Sequence, residues 1–281
     1  ADARLFEIYL LYAGLDTRLQ AGDYKLSASS NMIEIAHALQ DATPLEVPFV
    51  ILSGWRLEEI ATTLPTSGLS VSADEFLRLS GNPDLLSLPA GLTDWSGLVS
   101  LEGFLLPDVY QVRRDITAEA LLELILSNFD AKVTPEMRLA FEKQGLTLKQ
   151  AVTLASIVQR EAVVVEEQPV IAAVFLNRLN AGMLLQSDPT VQYALGYNRD
   201  KETWWTNPLS AEQLQVQSPY NTYLYPGLPP GPICNPSLSA LQAVANPQND
   251  SRYYYFRASC DGSGRHSFAS TYEEHLANAC Q

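Results

Sequence analysis

The stretch LASIVQREAVV, residues 154–164, places a carboxylate among apolar residues. Leu154, Ile157 and Val158 fall on one face of a helix, which predicts that this stretch belongs to the core. Glu161 falls on the same face. Its carboxylate either marks the edge of the apolar stripe, where it reaches water or pairs with Arg160, or is a half-buried acid with a raised pKa. The second interpretation suits a general acid, which must hold its proton near neutral pH.

Helical patterns continue on both sides of this stretch. Thr147 and Gln150 have the spacing of a capping box and predict the start of the helix that carries Glu161. Pro169 predicts the start of the next helix, and Gly182 predicts its end. Further helices are predicted over residues 31–40, 56–64, 117–133, 135–145, 237–246 and 271–280, and strands over residues 22–27, 46–54 and 252–258.

The order of these elements predicts an α+β fold in two parts. Small strand–helix units occupy residues 1–97, and a helix-rich α+β domain occupies residues 98–281. The boundary is placed near the end of a stretch rich in Pro, Gly, Asp and Ser, residues 80–97.

Composition narrows the class of protein. The chain has 281 residues, 47% of them hydrophobic, which is enough for a sizeable core. Its 18 Lys and Arg residues are outnumbered by 32 Asp and Glu residues, for a formal charge of −14. Such a chain lacks the basic surface of a nucleic-acid-binding protein. No apolar run approaches the ~18 residues that span a bilayer, and the chain begins in a helical pattern, so we expect a fragment without its leader or anchor.

The cysteines and histidines do not suggest a metal centre. Cys234, Cys260 and Cys280 lack the spacing of a zinc ribbon or a redox motif. Either Cys260 and Cys280 form a disulfide in an oxidising compartment and leave Cys234 as a single thiol, or all three are unpaired. His266 is interpreted as a structural residue in a turn before a short strand.

Four long motifs resemble one known family. They are LASIVQREA at residues 154–162, IAAVFLNRLNAGMLLQSDPTVQYALG at 171–196, SPYNTYLYPGLPPGPICNP at 218–236 and LEGFLLPDVY at 101–110. These motifs are similar to those of the YceG/MltG family of endolytic murein transglycosylases. Shorter similarities near both ends extend the resemblance over nearly the whole chain.

The resemblance implies a reaction and a catalytic residue. Glu161 corresponds to the family's catalytic glutamate, and this chain has Gln159 where many members have a second one. The implied substrate is the β-1,4 bond between N-acetylmuramic acid and N-acetylglucosamine within peptidoglycan strands. Glu161 would protonate the glycosidic oxygen and then deprotonate the muramic acid 6-hydroxyl as it attacks C1, which leaves a 1,6-anhydro end. No cofactor or metal is implied.

Polar and aromatic side chains in these motifs are expected to bind the glycan. Amides and hydroxyls can hydrogen-bond to N-acetyl sugars, and aromatic faces can pack on sugar rings. The expected substrate-binding residues are Glu102, Asn177, Gln186, Asp188, Thr190, Gln192, Tyr220, Asn221 and Tyr223. For Asp188 the alternative is a helix N-cap before Pro189, and for Glu102 it is a cap of the structure that follows.

The resemblance also implies a setting. The enzyme would act outside the cytoplasm, held at the membrane by an N-terminal anchor that this sequence lacks, and would terminate the elongation of nascent glycan strands. Cell-wall synthases or division proteins are the implied partners. Residues 1–97 resemble a LysM-like module, which binds glycan or orients the catalytic domain. Two other functions stay open, namely a non-catalytic cell-wall scaffold and a muramidase that uses water and needs a second carboxylate facing Glu161.

Overall fold

Helices and two small antiparallel sheets make up the fold. The computed structural model describes residues 2–22, 24, 26–40, 45–89, 99–248 and 252–280. Its α-helices are α1 (Ala3–Ala13), α2 (Met32–Ala38), α3 (Leu57–Thr63), α4 (Ala73–Ser80), α5 (Ala118–Lys132), α6 (Pro135–Lys143), α7 (Leu148–Glu161), α8 (Gln168–Asn180), α9 (Asp188–Leu195), α10 (Leu238–Ala245) and α11 (Tyr272–Ala277). The strands are β1 (Glu46–Val50), β2 (Val109–Arg113), β3 (Tyr255–Ala258) and β4 (His266–Ala269). The predicted α+β class is therefore confirmed. None of the described helices combines the length and apolarity needed to cross a membrane.

Helix α7 lies at the centre of the core. Every residue from Ala151 to Val158 is buried, so this part of the helix is enclosed on all sides. Helices α8 and α10 pack against it, and α6 and α9 also contact it. The predicted capping box is present, since the N–H of Gln150 donates to Thr147 Oγ1 at 3.3 Å and the N–H of Thr147 donates to Gln150 Oε1 at 2.9 Å. The start of α7 is thus fixed locally, while its burial comes from its neighbours.

The two sheets join distant parts of the chain. Strand β1 pairs with β2 in antiparallel register, and burial alternates along both strands, so that Phe49 and Tyr110 face the core. Strand β3 pairs with β4, and α11 contacts both of them. No strand was predicted over residues 109–113, whereas a short strand was predicted just after His266, where β4 lies. His266 was interpreted as part of a turn, but it is the first residue of β4.

Strand pairing and core packing both join the two parts into which the chain was predicted to divide. Strand β1 precedes the proposed boundary and β2 follows it. One core cluster includes Phe49 and Phe76 from the first part together with Phe104 and Phe175 from the second. The boundary falls within residues 90–98, which lie outside the described residues, as does part of the strand predicted over residues 22–27. Both the division and the LysM-like character of residues 1–97 stay predictions.

One disulfide connects the end of the chain to the β3–β4 hairpin. Cys260, just beyond β3, is bonded to Cys280, just beyond α11. Cys234 is a free, buried thiol. Of the two alternatives for the cysteines, the structure therefore shows the first.

Candidate active site

Glu161 is the last residue of α7, at the point where the buried helix meets a cavity. The cavity has a volume of about 520 Å³, within the usual range for ligand sites. Its wall combines the end of α7, the start of α9 and the β3–β4 hairpin. We call it the Glu161 cavity. The predicted residues that line it are Glu161, Gln186, Asp188, Gln192 and Tyr223.

The environment of Glu161 raises the pKa of its carboxyl from the ordinary range towards neutral pH. Burial raises the pKa to about 7, and the negative charge of Asp188 acts in the same direction. A hydrogen bond from the Ser187 hydroxyl to Oε1, 2.5 Å long, opposes the rise, as do the positive charges of Arg178 and Arg160. Burial outweighs these opposing contributions. With a pKa of about 7, both the protonated and the charged form are present near neutral pH.

Asp188 is held by Tyr223 on the wall of the cavity. The Tyr223 hydroxyl donates a hydrogen bond of 2.6 Å to Asp188 Oδ1. Burial and this bond to a carboxylate both raise the pKa of Tyr223, so the phenol keeps its proton. The N-cap interpretation of Asp188 is wrong, because α9 begins at Asp188 itself and Ser187 occupies the cap position. The Asp188 carboxylate therefore belongs to the cavity.

Two glutamines form further parts of the wall. Gln186 has a φ of 49°, a left-handed conformation that is uncommon for a residue other than glycine. Its N–H donates to the carbonyl of Thr222 at 3.1 Å, which ties the segment before α9 to the tyrosine-rich loop. Gln192 Nε2 donates to the carbonyl of Thr206 at 2.9 Å. Backbone strain of this kind is often found at functional sites.

Two of the other predicted residues support the wall from behind. Thr190 is fully buried, and its hydroxyl donates to the carbonyl of Ser187 at 2.7 Å. Asn221 is also fully buried, and its Nδ2 donates to the carbonyls of Leu214 and Val216 at 3.0 and 2.9 Å. Each side chain uses its polar atoms to hold a loop.

Asn177 and Tyr220 also lie outside the lining of the Glu161 cavity. Asn177 Nδ2 donates to the carbonyl of Tyr253 at 3.0 Å, beside the start of β3. The ring of Tyr220 packs on that of Tyr193, with centroids 4.8 Å apart. Asn177 therefore positions the β3–β4 hairpin, and Tyr220 extends the core.

Glu102 is buried beneath α3 and does not line the Glu161 cavity. Its Oε2 accepts the N–H of Leu57 at the start of α3, and its Oε1 accepts Nδ2 of Asn235, both at 3.3 Å. Only 4% of its surface is exposed. Burial raises its pKa to about 8, and the charge of Glu58 adds to the rise. Glu102 thus caps an earlier helix, rather than the structure that follows it.

Ser187 and Arg178 are at or beside the Glu161 cavity but were not among the predicted substrate-binding residues. Ser187, between Gln186 and Asp188 in the QSDP motif, donates to Glu161, and its place in that polar motif was the one signal in the sequence. Arg178 has 8% exposure and donates through Nε to the carbonyl of Tyr254 and through Nη1 to that of Leu185, both at 2.6 Å. These bonds fix a positive charge on the cavity wall.

Arg160, another cation on the cavity wall, does not form the pair with Glu161 that was one of the predicted alternatives. Its guanidinium stacks on the ring of Trp205, 3.8 Å from the centroid, instead of pairing with Glu161. Trp205 in turn donates from Nε1 to Glu59 Oε2 at 3.1 Å. A stacking partner 45 residues later could not be inferred from the helix pattern.

Gln159 is the residue for which the resemblance implied a second glutamate in many family members. Its Oε1 accepts the N–H of Ser237, which precedes α10, at 3.0 Å. The side chain therefore anchors α10 and is absent from the lining of the Glu161 cavity. Glu161 is the carboxyl that this turn of α7 presents to the cavity.

Comparisons with known proteins cover the whole chain. The sequence model of the YceG-like family matches residues 1–281. An endolytic murein transglycosylase of Streptococcus pneumoniae serotype 2 (strain D39) is 31% identical over 303 residues, which cover 99% of this chain and 53% of that protein. One of Bacillus subtilis (strain 168) is 28% identical over 282 residues, which cover 97% of this chain and 75% of that protein. The chain thus spans about half the length of the pneumococcal relative.

A solved structure agrees with these sequence relatives. The 2.6 Å crystal structure of a YceG-like protein from Listeria monocytogenes matches with a TM-score of 0.71 and 31% sequence identity, over 98% of this chain and 90% of that one. The same family is therefore indicated by sequence over every residue and by structure over nearly all of them. The chain belongs to the YceG-like family.

Proposed function

We propose that this chain is an endolytic lytic transglycosylase that cleaves the bond between N-acetylmuramic acid and N-acetylglucosamine within peptidoglycan strands. Two relatives that it matches over nearly its whole length carry the name endolytic murein transglycosylase. The observation that carries the proposal is the position of Glu161, a carboxyl with a pKa of about 7 on the wall of a polar cavity.

Glu161 serves as an acid and then as a base in the proposed reaction. The protonated carboxyl gives its proton to the glycosidic oxygen as the bond from C1 to that oxygen breaks. The resulting carboxylate takes the proton of the muramic acid 6-hydroxyl as O6 forms the new bond to C1. Glu161 ends protonated, and no water is consumed. A pKa close to the working pH suits a group that must both give and accept a proton.

The surroundings of Glu161 favour each half of this cycle. Burial keeps the acid protonated before the first step, while Ser187 and Arg178 stabilise the carboxylate that follows it. The Asp188 carboxylate, held by Tyr223, places negative charge in the same cavity. Negative charge would stabilise an oxocarbenium-like transition state at C1.

The products of digestion test the proposal. Purified, uncrosslinked glycan strands are digested with the intact chain, with Glu161→Gln and with Glu166→Gln, an exposed neighbour that serves as the control. We expect 1,6-anhydromuramic ends by mass spectrometry from the intact chain and the control, and none from Glu161→Gln.

Other outcomes would indicate another function. Reducing ends would indicate a muramidase that uses water, with Asp188 as the second carboxylate. No cleavage by a folded intact chain, together with retained binding to glycan, would favour the scaffold.

The cellular setting forms part of the proposal. A disulfide between Cys260 and Cys280 fits an oxidising compartment outside the cytoplasm, where peptidoglycan lies. We further propose that a membrane anchor outside this sequence holds the enzyme near cell-wall synthases, where cleavage terminates nascent strands. Residues 1–97 would act there as a LysM-like module.

A further inference from the structure

His266 lines the Glu161 cavity from the β3–β4 hairpin, more than 100 residues after Glu161 in the sequence. Its ring Nδ1 lies 2.8 Å from Oε2 of Glu167, in the segment between α7 and α8. Both side chains are largely buried, with 10% exposure for His266 and 9% for Glu167. This pair connects the hairpin to the segment that follows Glu161.

Glu167 fixes both the backbone and the ring of His266. The N–H of His266 donates to both carboxylate oxygens at 3.1 Å, in addition to the contact at Nδ1. The ring of Phe256 meets the imidazole at 89°, with centroids 5.3 Å apart. A carboxylate at Nδ1 favours the tautomer with its proton on that nitrogen. When the ring is neutral, its Nε2 edge is a hydrogen-bond acceptor.

The cavity wall carries both kinds of hydrogen-bonding group, and its acceptors include the side-chain oxygens of Gln186, Asp188 and Asn207. Arg160, Arg178 and Arg257 contribute guanidinium groups, which only donate. One oxygen of Asp188 already accepts from Tyr223. A glycan offers hydroxyl and acetamido N–H groups that require acceptors, so a fixed acceptor on the wall meets a specific need.

We propose that His266 is a substrate-binding residue whose Nε2 accepts a hydrogen bond from a hydroxyl or acetamido N–H of the bound glycan, with Glu167 holding the ring. The inference rests on the proposed function and adds a contact on the wall contributed by the hairpin. A pair that only closed the hairpin would gain little from burying a carboxylate, since apolar residues of similar volume are often as stabilising. Because the pair lies at the cavity, the Glu167 carboxylate can orient the His266 ring towards a bound glycan.

Two substitutions of His266 distinguish a role in glycan binding from a role in holding the hairpin. His266→Asn keeps a donor at the position of Nδ1 and can retain the bond to Glu167, but it has no atom at the position of Nε2. His266→Gln places an amide at the position of Nε2 and loses the Nδ1 donor. Each is made in the Glu161→Gln chain, which preserves the substrate. Binding of soluble, uncrosslinked glycan strands is measured by calorimetry, and the thermal midpoint is measured in parallel.

We expect His266→Asn to keep the thermal midpoint and to bind about tenfold more weakly, the effect of one lost hydrogen bond. His266→Gln should bind within about threefold of the Glu161→Gln parent even if its midpoint falls. Unchanged affinity in His266→Asn would overturn the inference, as would an equal or larger loss of affinity in His266→Gln. Because cleavage by the intact chain is assayed separately, anhydro products together with unchanged affinity would overturn this inference alone. Absence of both cleavage and binding in the folded chain would overturn the proposed function with it.

Discussion

The Ser187 hydroxyl and the Glu161 carboxylate are joined by a hydrogen bond of 2.5 Å between the residue before α9 and the last residue of α7. The bond stabilises the charged form of Glu161, whereas burial stabilises the neutral form. The pKa of about 7 is the result of this opposition. Ser187 therefore adjusts the acid without being an acid or base itself.

Ser187→Ala is expected to shift the pH dependence of cleavage to higher pH. Loss of the bond raises the pKa of Glu161, because the carboxylate loses a stabilising donor. The acid then stays protonated to a higher pH, and the alkaline fall in kcat/KM moves up by roughly half to one pH unit. The measurement is a pH profile of cleavage for Ser187→Ala and for Ser127→Ala, an exposed control on α5. A fall at the same or lower pH in Ser187→Ala would contradict this account.

Glu161→Gln is expected to stabilise the fold at alkaline pH. The folded pKa of about 7 lies above 4.5, the ordinary value that a glutamate has in the unfolded chain, so the folded state binds more protons between these two pH values. The free energy of unfolding of the unsubstituted chain therefore falls as the pH rises through this window. Glu161→Gln avoids that loss, so its free energy of unfolding should exceed that of the unsubstituted chain by up to about 3 kcal/mol at pH 8. At pH 4 the ionisation of Glu161 should give no such difference.

Denaturant unfolding at pH 4 and pH 8 measures this difference. The exposed Glu166→Gln serves as the control, for which the difference from the parent should be small at both values. If the difference between Glu161→Gln and its parent were the same at both pH values, the ionisation of Glu161 could not be its cause.

Local signals made much of the helical core predictable. The capping box at Thr147 and Gln150 depends on residues three apart, and the burial of Leu154 and Ile157 follows from helical spacing. The same spacing placed Glu161 on the helix that reaches the cavity. These features were predictable because the atoms that form them are close in the sequence.

The features that could not be predicted from the sequence depend on contacts between residues that are far apart along the chain. Strand β2 depends on β1, which ends almost 60 residues earlier. Glu167, the partner of His266, lies 99 residues away, so no local pattern indicates this pair. Polarity also does not distinguish the cavity wall from its support, since Asp188 faces the cavity while Thr190, on the same helix, is buried behind it.

Arg178→Lys is expected to destabilise the fold while keeping the charge near Glu161. A lysine has one ammonium group and cannot reproduce the two guanidinium bonds, each 2.6 Å long, to the carbonyls of Tyr254 and Leu185. One carbonyl would lose its partner, at a cost of about 1–3 kcal/mol. Denaturant unfolding checks the cost against Arg257→Lys, whose arginine donates a longer bond of 3.4 Å to the carbonyl of His275. Equal losses in the two variants would argue against the bracing role of Arg178.

Gly103→Ala is expected to destabilise the fold by more than the strain of an alanine in a left-handed backbone conformation would. Gly103 has a φ of 88°, and a Cβ there would overlap the ring of Pro232 and lie 3.0 Å from Cγ1 of Val152 on α7. The proline ring cannot rotate away, so we expect a loss of at least about 3 kcal/mol from overpacking and the left-handed backbone together. Gly145→Ala is the matched control, with a φ of 74° and nothing within 4 Å of the added Cβ, and should lose only about 1 kcal/mol. Unfolding midpoints for both variants decide the matter: if Gly103→Ala lost no more stability than Gly145→Ala, the close approach of Pro232 and Val152 to Gly103 could not be what requires glycine at this position.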